Sequence, residues 1–119
     1  EFIGSPKMNI IKINKEHIAN SNTLHLFNNK ITFKNFEFND EIYLGIRPED
    51  ISIKKDHEIQ VDVKIDHVEN LGFEKIIYSK VLENQIIIKS SENINSNAIK
   101  ISFSKDKVLF FDKDKNRIR

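Results

Sequence analysis

Four histidines, His17, His25, His57 and His67, are the side chains of this sequence best suited to proton transfer or metal binding near neutral pH. A metal site needs several such ligands on one ion, and spacings such as HxH or HExxH supply them within a single element. The histidines lie in separate segments with neither spacing, so they read as solvent-exposed or packing residues and no metal site is expected. Asp56-His57 and Asp66-His67 are adjacent pairs, but neighbours along a strand point to opposite faces and make poor dyads. The remaining carboxylates are evenly spread, so spacing selects no pair for acid–base work. The phosphate loop GxxxxGK[ST], the dinucleotide loop GxGxxG and the hydrolase elbow GxSxG do not occur. No catalytic, cofactor-binding or metal-ligating residue is expected in this stretch, and any nucleotide chemistry belongs elsewhere.

Between Lys30 and Phe38, the rings Phe33, Phe36 and Phe38 interleave with Lys30 and Lys34, as on a surface that stacks single-stranded bases. A strand with one core face and one wet face shows the same spacing. Charge decides between the two readings. With 19 Lys+Arg against 18 Asp+Glu the net charge is +1, which lacks the positive field that nucleic-acid binding draws on. The rings are therefore expected in the core, with no nucleic-acid partner. At 119 residues, 39% of them hydrophobic, the chain has room for one domain and one core. No apolar run reaches the length of a spanning helix, and nothing resembles a secretion signal. The absence of cysteine removes disulfides and thiolate metal sites and suits a reducing cytoplasm.

The elements that position these residues read as strands. Val61, Val63 and Ile65 alternate with Gln60, Asp62, Lys64 and Asp66, the period of a strand with one buried face. Ile99, Ile101 and Phe103 repeat the pattern, as do Ile31 and Phe33 before it slips at Lys34-Asn35. Shorter strands are expected at Ile10 to Ile13, Leu24 to Phe27, Ile42 to Ile46, Lys75 to Leu82, Ile86 to Lys89 and Lys107 to Phe111. Asn28-Asn29, Asn39-Asp40, Glu83-Asn84 and Lys105-Asp106 suit tight hairpin connections, and the loop from Ser90 to Asn97 is longer. Helical signal is confined to the N-terminal residues and to Lys15 to Asn20. The sum is an all-β fold, an antiparallel sandwich or barrel of short strands.

Ile76-Ile77-Tyr78 and Ile86-Ile87-Ile88 place apolar groups on both faces of a strand. Burying an Ile is worth about 1.5 to 3 kcal/mol, so the second face should also be covered. Ile77 and Ile87 are thus candidates for contact with a partner subunit, the alternative being a second layer of the same domain.

The most informative segment is Leu44-Gly45-Ile46-Arg47-Pro48-Glu49-Asp50-Ile51. Pro48 stops the strand because it has no N–H to donate, and it biases Arg47 towards extended angles. A turn over Pro48-Glu49-Asp50 follows. Arg47 and Glu49 flank the proline and are able to fold towards each other or towards backbone carbonyls, a geometric device more than a catalytic one.

This segment, LGIRPEDI, resembles the LGIRPE(H/D) signature in the C-terminal regulatory domain of MalK-like ATP-binding subunits of ABC sugar importers, a TOBE or MOP-like OB domain. Phe2 to Asn9, FIGSPKMN, is similar to the segment that joins the ATPase domain to the regulatory domain in that family. Val68-Glu69-Asn70-Leu71-Gly72 resembles its vExLG strand and bend, and Leu109-Phe110-Phe111-Asp112 stands where it shows HLFD. The matches occur in the family's order across essentially the whole chain. All the Gly and Pro of the sequence, Gly4, Pro6, Gly45, Pro48 and Gly72, fall inside them. Leu109 and Phe110 depart from the usual His and Leu, and Asn116 from a Gly.

The resemblance implies a short helical tail and linker over residues 1–9 and an OB-like regulatory domain over 10–119. Glu-Phe and Gly-Ser are also common cloning scars ahead of a start at Met8, but the match runs unbroken through Lys7-Met8-Asn9 and favours a piece of a longer protein. That parent would hydrolyse ATP with Mg in its own ATPase domain to import an oligosaccharide or polyol, as a homodimer on the cytoplasmic face of the membrane. Its implied partners are a second copy, the membrane permease subunits and a regulatory protein. Gly45, Arg47, Pro48, Glu49, Glu69 and Gly72 are the structural residues it implies for this domain. The alternatives are an anion-binding module of an oxyanion importer, to which Ser90-Ser91 would contribute, and an OB-fold nucleic-acid binder.

Overall fold

The computed structural model describes residues 7–38 and 41–119, which form strands joined by tight turns. The helical tail expected at the N-terminus and the turn expected at Asn39-Asp40 fall largely on residues 1–6 and 39–40 and lie outside the described residues. Helical backbone among the described residues consists of the 3-10 turns Lys15–His17, Pro48–Asp50 and Lys105–Lys107.

Strands β1 (Asn9–Ile13), β5 (Ile42–Ile46), β10 (Leu109–Phe111) and β11 (Arg117–Ile118) make one sheet in the order β1-β5-β10-β11. A second sheet joins β2 (Ile18–Asn20), β3 (Thr23–Leu26) and β4 (Asn29–Thr32). The third, in the order β8-β7-β6-β9, is built from β6 (Ile59–Leu71), β7 (Glu74–Val81), β8 (Asn84–Ser90) and β9 (Ala98–Phe103). Every pairing is antiparallel. The long β6 serves two neighbours, β9 along Ile59 to Lys64 and β7 along Lys64 to Leu71. A register shift between Ile65 and His67 marks the handover and bends the strand. The result is the expected all-β, OB-like architecture.

Alternation sets which residues face inward. Ile11, Ile13, Leu24, Ile42, Leu44, Ile46, Val61, Val63, Ile101 and Phe103 are all buried in one continuous core. Phe33, Phe36 and Phe38 gather around Phe110 with ring centroids 4.9, 4.8 and 5.0 Å from it. The rings that would have stacked bases are thus engaged by one another, as the charge argument required.

The structure moves several local expectations. Lys15–His17 is a 3-10 turn as the helical signal suggested, but Ile18–Asn20 is strand β2, because Ile18 pairs with Leu24. The hairpin loops lie one residue earlier than their polar pairs, at Phe27-Asn28 and Leu82-Glu83. Matching Leu24 with Ile31, and Ile77 with Ile88, fixes the registers and leaves those residues to turn. Phe27, Asn28 and Leu82 consequently take positive φ of 51, 66 and 54°. Lys105-Asp106 belongs to a 3-10 turn whose entrance is capped by Ser104 Oγ, which accepts from the Asp106 N–H at 3.2 Å.

Ile77 is 0% exposed inside the core, and Ile76, on the opposite face of β7, is 3% exposed. The strand is covered on both sides by its own domain, which corrects the reading of Ile77 as a subunit contact. Ile87 is only partly buried and remains at the surface of edge strand β8.

Candidate functional site

Strand β5 and its neighbours build the corner on which three of the four sequence signatures converge. Leu44 and Ile46 point into the core at 0% exposure, so Gly45 between them faces the other side of the sheet. Across the ladder Gly45 is opposite Ile10 on β1 and Leu109 on β10. A Cβ placed on Gly45 would lie 2.5 Å from Met8 Sδ and 2.9 Å from Phe111 Cε2. The glycine is therefore required by side chains that close over it, and no unusual backbone angle is involved. Met8, Gly45 and Phe111 come from three separate signatures, and their contact joins these signatures in space.

Asn9, one residue on, joins two sheets. Its Nδ2 donates to the Ile87 carbonyl at 2.8 Å, and its Oδ1 accepts from the Ile87 N–H at 2.7 Å. A carboxamide thus satisfies both backbone groups of one residue on edge strand β8, in place of a neighbouring strand. Asn9 is 5% exposed and Met8 8%, so both are part of the domain interior and neither acts as linker. Their sequence signal was present in the FIGSPKMN resemblance, but no spacing rule indicates that an asparagine will reach a strand 78 positions away.

Beyond Ile46 the chain turns as expected. Arg47 is extended at φ −74° and ψ 144°, and Pro48 occupies the first position of the 3-10 turn Pro48–Asp50, fully buried. The Asp50 N–H donates to the Arg47 carbonyl at 3.0 Å and the Ile51 N–H to that of Pro48 at 3.4 Å. Arg47 and Glu49 are exposed, and among the described residues they form neither an ion pair with each other nor an Arg47 bond to a carbonyl. The corner is held by the proline ring and the backbone, with both charged side chains free at the surface. The turn rests against β8, the strand that Asn9 secures.

Glu69 and Gly72 lie on a different sheet, on the β6–β7 hairpin. Glu69 is exposed opposite Ile76, and Gly72 makes the turn with φ +86° and open space around it. Leu71 and Phe73 on either side of it are 57 and 94% exposed. Ser90 and Ser91 line a cleft of about 510 Å³ whose lysines, Lys54, Lys55, Lys89 and Lys107, are matched by Glu49, Asp50, Glu74 and Glu92. Lys89 is drawn to Glu74 at 3.5 Å, and the Ser90 hydroxyl accepts the Glu92 N–H at 3.0 Å. The balanced charges make a poor oxyanion site.

The histidines stay apart. His17 Nδ1 accepts from the Asn14 N–H at 2.9 Å and His67 stacks on Tyr78 at 5.7 Å. Among the described residues no group of three or more His, Cys, Asp or Glu is arranged to hold a metal ion.

Fold and corner together define an antiparallel OB-like domain in which three of the four signature segments meet on one sheet. No family model matches the sequence. The maltose/maltodextrin import ATP-binding protein MalK of Aliivibrio fischeri is 35% identical over 83 residues, covering 65% of this chain and 22% of that protein. The comparison bears out the resemblance to MalK-like subunits. The chain spans about a fifth of the length of this curated relative (22%).

Proposed function

We propose that this domain is the regulatory part of an ATP-binding subunit of an ABC importer for carbohydrates, oligosaccharide or polyol in type. The observation that carries the reading is the convergence of Met8, Gly45 and Phe111, from separate MalK-like segments, into one contact. Similarity scattered over a common fold gives no reason for these segments to depend on one another. In this reading the parent hydrolyses ATP with Mg in an ATPase domain and stands on the cytoplasmic face of the membrane, bound there through permease subunits. The domain itself holds two copies of the subunit together as the ATPase domains open and close, and offers a surface to a regulatory protein. Of the two isoleucines first considered for the contact between copies, Ile87 is the one at the surface.

The test is to read the coding frame upstream of Glu1. A frame that continues into a phosphate loop and an LSGGQ-type signature, with a product that hydrolyses ATP, is the expected result. A start codon at Met8 would overturn it and leave the domain to act alone.

A further inference from the structure

Strand β6 changes neighbours at Lys64, and the change leaves part of its edge open. Along Ile59 to Lys64 it pairs with β9 on one side. Ser102, opposite Gln60, turns its own backbone groups away from β6, exchanging bonds of 2.8 and 2.9 Å with Ser52. By alternation, Gln60 and Asp62 direct their N–H and C=O groups to the other side, where β7 pairs only from Lys64 onward. At Gln60 the gap is filled by Asn29, whose Nδ2 donates to the Gln60 carbonyl at 2.8 Å and whose Oδ1 accepts its N–H at 3.3 Å. At Asp62 no partner is present among the described residues, because Leu82, where β7 would continue, has turned away with φ 54°.

Asp62 lines a cavity of about 530 Å³ between the Phe27-Asn28 turn and Leu82. Phe27, Val81 and Leu82 give it apolar walls, while Asn28, Asp62 and Lys100 bring an amide, a carboxylate and an ammonium group. Asp62 and Lys100 are cross-strand neighbours that form no ion pair, and the Asn28 amide has no hydrogen-bond partner among the described residues. Phe27 and Leu82 are held at the cavity rim by the positive φ of their two-residue hairpin turns.

We infer that this cavity binds a small neutral ligand with vicinal hydroxyls, a sugar or polyol. Each hydroxyl is both donor and acceptor, so an adjacent pair satisfies the N–H and C=O of Asp62 as the Asn29 amide satisfies those of Gln60. The Asp62 carboxylate accepts from a further hydroxyl, Lys100 and Asn28 donate, and a C–H face rests on Phe27 and Leu82. One carboxylate and one ammonium leave no net charge to attract an ion. A peptide strand does not fit, since only one residue of edge is open between Asn29 and the turn at Leu82. The inference stands on this cavity alone, and its failure leaves the transporter reading untouched.

The test is an amide NMR titration of the labelled chain with maltose, glucose and myo-inositol, each to about 50 mM, well above the roughly millimolar affinity expected of a small open site. Saturable shifts confined to Asn28, Asp62, Leu82, Lys100 and their neighbours are expected with at least one probe. The exposed substitutions Asp62→Ala and Lys100→Ala should each weaken that binding about tenfold or more, on the order of one lost charge-assisted hydrogen bond, with the rest of the spectrum unchanged. Leu82→Gly, which relieves the strained backbone and keeps the fold, should weaken it through loss of the apolar wall. Absence of saturable shifts with all three probes would overturn the inference, as would shifts elsewhere or binding indifferent to these substitutions.

Discussion

Gly45 gives the clearest case of a residue whose identity is dictated by what lies over it. Replacing a strand glycine with alanine normally removes backbone entropy from the unfolded chain and stabilises the protein. Here the added methyl meets Met8 Sδ at 2.5 Å and Phe111 Cε2 at 2.9 Å. The methionine end is flexible and can withdraw, but the phenylalanine ring must rotate against its sheet. Gly45→Ala is expected to destabilise the domain by about 1 to 3 kcal/mol, as overpacking does. A urea melt in which the alanine variant is as stable as the parent would show that the contact is loose. Arg47 and Glu49 illustrate the reverse: both stand in the signature, yet their side chains are exposed and form no ion pair with each other.

At the scale of the element, the β6–β7 hairpin depends on its turn. Gly72 sits at φ +86° and a Cβ added there would meet nothing within 4 Å beyond its chain neighbours, so a side chain has room but the wrong backbone angle. Gly72→Ala is expected to cost about 1 to 2 kcal/mol, and Gly72→Asn less, because asparagine tolerates left-handed angles. Equal stability of the two variants in denaturant melts would refute the conformational explanation. The same hairpin shows how far periodicity carries. The alternation from Gln60 to Asp66 was readable as a strand, and Val68 to Leu71 through the family bend; that both are one bent strand was not. The shift between Ile65 and His67 carries no composition signal. The turn positions were misread by one residue for a related reason. Asparagine pairs mark where a chain is able to turn, but the register is set by pairing Leu24 with Ile31 and Ile77 with Ile88.

For the whole molecule, cohesion between the sheets rests on a few long-range polar contacts added to the common core. Asn9 ties the β1 sheet to β8, Asn29 ties the β4 sheet to β6, and Phe110 joins the aromatic cluster to β10. Asn9→Ala would leave the N–H and C=O of Ile87 without their partners at a nearly closed position. A loss of about 1 to 3 kcal/mol is expected, seen as a lower urea midpoint with an unchanged slope. A drop below about 0.5 kcal/mol would mean that water replaces the amide without cost.

What the sequence determined by itself was the fold class, most strand positions, the burial of Phe33 and Phe38, the corner at Pro48 and the likeness to MalK-like subunits. These follow from local rules: alternation, the missing N–H of proline, and motifs that are contiguous in the chain. What only the tertiary structure decided was that Met8, Gly45 and Phe111 touch, that Ile77 is interior, and that Asp62 faces an open cavity. These depend on which strands become neighbours. That choice is made by the combined burial of the core and not by any one segment, so residues far apart in sequence acquire their roles only once the sheets have closed on one another.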